Sequence, residues 1–168
     1  MKANKDVNPV IRSKFLLCFK YIFLFFLGGS IYYNIECLYR GYSHISMFIV
    51  GGMALILIGL VNEIMGWNWY FEFQVLVGLV DVLFMEFVSG CIVNLWLGLN
   101  VWDYSDQFGN ILGQICPLFA LIWIPLIAIA ILLDDFIRWF MFGEEKPRYR
   151  FVTVKLVKKL IKKIKKEK

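Results

Sequence analysis

The sequence predicts an all-α integral membrane protein, a four-helix transmembrane bundle with a basic amphipathic C-terminal helix. Three observations carry that reading. Apolar residues make up 60% of the 168, against roughly 45–50% in ordinary globular domains. The surplus lies in long unbroken runs, the mark of lipid-spanning segments. The cations, finally, gather at the ends: of 18 Lys and Arg, five lie between Lys2 and Lys20, Arg40 stands alone, and twelve lie from Arg138 onward. Three regions are expected: a cytoplasmic arm (1–14), a four-span domain (15–136) and a basic cytoplasmic or interfacial tail (137–168).

The arm is polar, with Pro9 near its middle. Residues 15–39 form the first span, long enough for a hydrocarbon core of ~30 Å with some tilt. Lys20 lies inside it and can snorkel to the near interface. The length of this run, and Lys20 within it, argue against a cleaved signal peptide. A short polar link, 40–44, leads to the second span, 45–64. The next turn, 65–71, carries Trp67 and Trp69, which suit the interfacial aromatic belt. The third run, 70–99, would reach ~45 Å as a continuous helix, so it must tilt, protrude or break near Gly90. Residues 110–133 are expected as the fourth span, with Pro117 and Pro125 inside as kinks. Asp134, Asp135 and Arg138 are expected to end it.

The tail, 151–168, places Val154, Val157, Leu160, Ile161 and Ile164 on one helical face and lysines on the other. That pattern fits a helix lying on anionic lipid. Basic ends and an even number of spans put both termini in the cytoplasm of a multi-pass protein of the inner or plasma membrane. No nucleic-acid motif accompanies the charge, so nucleic acid is not an expected partner. The four cysteines show no C-x-x-C pair and are expected as small buried apolar groups.

Ionisable groups at membrane depth are costly and tend to face the bundle interior. Glu36 lies four residues before Arg40, the favourable order for an ion pair. It either neutralises Arg40 or serves as an ion or substrate ligand. Gly52, Gly59 and Gly66 recur every seven residues, with Asn62 and Glu63 at the lower end, and read as a close-packing stripe. Glu86, Gly90 and Asn94 form one polar stripe on the third span; Gln74, Gly78, Asp81 and Ser89 form another. Two polar faces place this helix at the bundle centre. They serve either interhelical hydrogen bonding or a proton-coupled or cation site built on Glu86, with Asp81 and Asn62 accessory.

The polar loop 97–117 is expected to matter most. Asn110 and Gln114 lie four apart at the top of the fourth span, and Ser105 or Asp106 can cap it. Arg40 is expected to reach Asp103 and tie the two outer loops. His44 is expected to be a solvated loop side chain. No G-x-S-x-G, Walker A, H-E-x-x-H or zinc-ligand spacing occurs, so neither an enzymatic activity nor a cofactor or metal is expected.

Two blocks carry a resemblance. Residues 28–52 read GGSIYYNIECLYRGYSHISMFIVGG, and 86–123 contain GCIVN, LGLNVWDYSD and NILGQICPLFALIW. Together they resemble the small bacterial membrane proteins labelled "putative ABC-transporter permease", the CmpB-like or type IV group. Similar sequences tend to carry proline where this chain has Phe108. The resemblance implies a transport-related component. With four spans and no nucleotide-binding sequence, a pathway would need a homo-oligomer or a partner membrane or ATPase subunit. The alternative is a non-transporting structural or regulatory scaffold.

Overall fold

The computed structural model describes residues 9–152, 154 and 155, with side chains at 9–13 and at Asn62 outside the description. Residues 1–8 of the expected N-terminal arm and most of the basic tail helix lie outside the described residues, and residues 9–14 of that arm belong to the first helix. Four α-helices account for the described chain: α1 (Pro9–Arg40), α2 (Ile45–Met65), α3 (Phe71–Gly90) and α4 (Pro117–Phe142), with a π-helical turn, Cys91–Trp96, continuing α3. All four are long and apolar enough to cross a membrane, over Lys14–Arg40, Ile45–Met65, Phe71–Trp96 and Pro117–Phe142. The chain divides into two compact units, Met1–Ile56 and Leu57–Lys168.

In the first unit α1 meets the first half of α2 through paired glycines. A Cβ on Gly28 would lie 2.6 Å from Leu55 Cβ and 2.7 Å from Gly51 O; one on Gly52 would lie 2.6 Å from Phe25 O. Gly29 faces Phe48 O just as closely, and Gly51 faces the Tyr32 side chain. Lacking a hydrophobic drive between helices in lipid, this backbone-level approach supplies van der Waals contact instead. The helices are joined at Gly41, whose φ of +82° ends α1, with its N–H donating to Cys37 O. His44 then caps α2: Ser46 N–H donates to His44 Nδ1 at 3.2 Å, and Met47 N–H to His44 O at 2.9 Å. The expected solvated histidine is therefore a helix cap.

In the second unit α3 and α4 pack together. Gly78 admits Ile127, whose Cγ2 would lie 2.9 Å from a Cβ there. Ile127 and Ile131 are fully buried, while Phe84 and Leu121 are about two-thirds exposed, as lipid-facing side chains would be. The expected glycine stripe on α2 divides its work. Gly52 faces α1 within the first unit and Gly59 faces Asp134 within the second, while Gly66, at φ +66°, ends the helix with nothing near it.

The long third run, expected to tilt, protrude or break near Gly90, changes character there without ending. From Cys91 the helix widens to π geometry, with Leu97 N–H donating to Ile92 O at 2.9 Å. The fourth helix differs from expectation at both ends. It begins at Pro117 rather than 110, because Pro117 lacks an N–H and has a pre-set φ suited to the first helical position. Residues before it turn repeatedly through left-handed conformations at Gly109, Leu112 and Gly113. Ser105 and Asp106 consequently do not cap it; Cys116 occupies that position with no side-chain bond. The helix also runs past 133 to Phe142, since Asp134 and Arg138 pair one turn apart at 2.6 Å inside it. Of the cysteines only Cys116 is buried; Cys18 is exposed and Cys37 and Cys91 are partly so.

Candidate functional site

Glu86, 5% exposed, is a buried carboxylate in the half of the second unit that adjoins the α3–α4 loop. It accepts a hydrogen bond from Trp123 Nε1 on α4 at 3.0 Å and one from the Tyr104 hydroxyl at 3.3 Å. The Tyr104 ring stacks on Phe119, centroids 4.4 Å apart. One acid thus gathers α3, α4 and the loop between them.

That loop is a compact cap. At its base Asn94, carried inward by the π turn, donates from Nδ2 to Gln114 Oε1 at 2.8 Å and accepts Val101 N–H at Oδ1, 2.7 Å. Gln114 in turn donates to Leu112 O, and its own carbonyl accepts Trp102 Nε1 at 3.0 Å. Asn94, Val101, Trp102 and Gln114 are all buried, so this amide pair has its hydrogen-bonding capacity used within the cap. Gly90 provides the room: a Cβ there would strike Gln114 Oε1 and lie 3.0 Å from the Trp102 ring.

The rest of the cap is organised by Asp103 and Asn110. Asp103 Oδ1 accepts from Ser105 N–H at 2.8 Å and from the Ser105 hydroxyl. The hydroxyl first, and then the N–H, hold its carboxyl below the ordinary carboxylate range. Asn110 donates to Ser105 O and Gln107 O at 3.1 and 2.9 Å and accepts Gly113 N–H at 2.9 Å. The four-residue spacing of Asn110 and Gln114 predicts one helical face. They occupy two different turns instead, Asn110 shaping the rim and Gln114 the base.

The other expected residues fall elsewhere. Glu36 and Arg40, in the first unit, form their ion pair at 2.9 Å, and the Ser43 hydroxyl donates to the same Glu36 oxygen at 2.6 Å. Arg40 also donates to Tyr42 O and lies over the Tyr42 ring. Arg40, expected to reach Asp103, belongs to the first unit and Asp103 to the second. Asp81, half-buried on α3, makes no hydrogen bond among the described residues. Gln74, on the same stripe, is fully buried and donates to Trp69 O at 3.4 Å.

A second polar cluster escapes sequence reasoning. Asp134 and Arg138, 0% and 3% exposed, are joined by Glu63 of α2, which takes Arg138 Nη1, and by Glu144 at 3.7 Å. Gly59 is what lets α2 close onto Asp134. Beside them Tyr149 donates its hydroxyl to Asp135 Oδ2 at 2.7 Å. Burial, reinforced by that acid, pushes the Tyr149 hydroxyl above the ordinary phenol range and keeps it a donor. An open cavity of about 520 Å³ lies against Glu63, Trp67, Asp135, Arg138 and Glu144. The signal available in sequence is Asp134 and Arg138 at a four-residue spacing, at the foot of an otherwise apolar run.

No curated protein and no solved structure matches the chain. A family model described as "Putative ABC-transporter type IV" matches residues 16–157. That range contains all four candidate spans save the first two residues of the first, the whole α3–α4 cap and the Asp134–Arg138 cluster. The chain belongs to this ABC-transporter type IV family of membrane proteins.

Proposed function

We propose that the chain is a permease-like subunit of a membrane transport system, working as a homo-oligomer or with a partner membrane or ATPase chain. Glu86 is the ion- or substrate-binding group in this reading. Asn94 and Gln114 fix the base of the cap over it, and Asp103 and Asn110 hold the cap's shape. Glu36 and Arg40 are further polar or ion-binding candidates, on the first span. Both termini lie in the cytoplasm of the inner or plasma membrane, because the cations cluster at the two ends.

The observation that carries the reading is a carboxylate buried within a spanning helix and held by the hydroxyl of Tyr104 and the indole of Trp123. Acids at this depth are costly and characteristically mark ion and substrate pathways. Four spans enclose little space, and the 168 residues contain no nucleotide-binding motif, so energy and part of the pathway come from other chains. Native mass spectrometry of the protein extracted in lipid nanodiscs tests this. The expected mass exceeds that of one chain, through further copies or an ATP-hydrolysing partner; a lone 19.7 kDa chain would count against a permease.

A further inference from the structure

After α4 the chain returns to the start of α3 and is pinned there. Phe71 N–H donates to Arg150 O at 2.8 Å, and Val152 N–H donates to the Glu72 carboxylate, 3.1 Å from each oxygen. The Phe71 ring meets those of Tyr149 and Phe151 at 5.2 and 5.3 Å. This anchoring sets two cations around Tyr70. Arg150 lies 5.5 Å from the Tyr70 ring centre and spends one N–H on Asn68 O at 3.2 Å. Lys155 donates to the Tyr70 hydroxyl at 3.0 Å. Among the described residues neither cation has a carboxylate partner. Both line one cleft of about 430 Å³ with Tyr70, Tyr149, Phe151 and Val154, within the size range of small-molecule sites.

The geometry points to a binding site for a phosphate group in this cleft, supplied by an anionic lipid headgroup, with Arg150 and Lys155 as its ligands. The guanidinium retains donors in a planar fork suited to phosphate oxygens, and the ammonium retains two more. Location favours a lipid over soluble phosphate. The cleft sits where the third span begins, beside Trp67 and Trp69, and Phe151 and Val154 present partly exposed apolar surface at its edge. A discrete site of this kind differs from diffuse attraction between lysines and a charged leaflet, because it depends on two named side chains. It is independent of the transport reading.

The test uses the full-length chain in detergent, with bound lipid counted by native mass spectrometry. Wild type is expected to retain one phosphatidylglycerol in preference to phosphatidylcholine. Arg150→Gln with Lys155→Gln should weaken that binding on the order of tenfold, and Arg150→Lys with Lys155→Arg should restore it. Lys155→Gln alone, at an exposed position, gives a smaller loss and serves if the double variant does not assemble. Replacing Lys158, Lys159, Lys162 and Lys163 by Gln should leave the tight lipid in place. Unchanged binding in the Arg150/Lys155 variant, equal retention of phosphatidylcholine, or an equal loss in the four-lysine variant would overturn the site. Displacement of the lipid by inorganic phosphate at comparable concentration would keep a phosphate site and overturn its lipid source.

Discussion

Gly113 closes the sharpest turn of the α3–α4 cap. Leu112 and Gly113 both take left-handed φ, 51° and 69°, and Gln114 N–H donates back to Ile111 O at 3.0 Å, the geometry of a type I′ turn. A Cβ at Gly113 would also lie 2.5 Å from Ser105 Oγ and 2.7 Å from Asp103 Oδ1. Gly113→Ala is therefore expected to destabilise the protein by about 1–3 kcal/mol, read as a lower melting temperature in nanodiscs. Asp103 gives the cap a pH dependence. Its folded carboxyl lies below the value of about 3.9 expected unfolded. The stability it adds is thus present above that unfolded value and is lost as pH falls through the lower folded one. Amide hydrogen exchange across residues 103–106, corrected for intrinsic rate, should quicken in that acid window, and Asp103→Asn should abolish the pH dependence. At the other end of the second unit, Tyr149→Phe removes a donor from Asp135, which is 5% exposed. The expected loss is about 1–3 kcal/mol, and a melting temperature equal to wild type would contradict the assigned bond.

Among the helices, α2 and α4 meet where periodicity offers least warning. Arg138 holds Asp134 inside α4 and receives Glu63 from α2, 75 residues away. Arg138→Met would leave Asp134 buried without its cation, a change expected to cost about 3–5 kcal/mol; thermal unfolding checks it, and a loss under about 1 kcal/mol would mean the acid finds solvent. The four spans themselves are legible, because unbroken apolar runs of about 20 residues have few alternatives to membrane helices. So is the excess length of the third run, which follows from helix rise and bilayer thickness, whereas the π turn from Cys91 that continues it is seen only in the structure. The start of α4 is not legible. Asn110 and Gln114 sit four apart by chance of two consecutive turns, and only the left-handed Leu112 and Gly113 reveal that no helix joins them. Its end is obscured because an Asp-Asp-x-x-Arg run resembles an interfacial stop until Glu63 and Gly59 are seen beside it. Glu86 and Asn94 are recognisable as buried from their spacing. Their partners Tyr104, Trp123 and Gln114 lie 18, 37 and 20 residues away, beyond the reach of periodicity.

For the molecule as a whole, each end of the second unit carries its own polar assembly. One end carries the Asn94–Gln114 amide pair of the cap and the buried Glu86; the opposite end holds the Asp134–Arg138 pair with its flanking acids and the returning segment at Arg150. We propose that the bonded amides form a rigid lid, and that Glu86, met by Tyr104 and Trp123, is the group that exchanges a proton or cation. The most direct test of that distinction is Glu86→Gln in cells lacking their own copy, with the amount of assembled protein measured alongside the wild-type phenotype. The account predicts normal assembly, since the amide oxygen still accepts from Trp123, together with loss of the phenotype. Full function from the Glu86→Gln protein, with assembly unchanged, would contradict it.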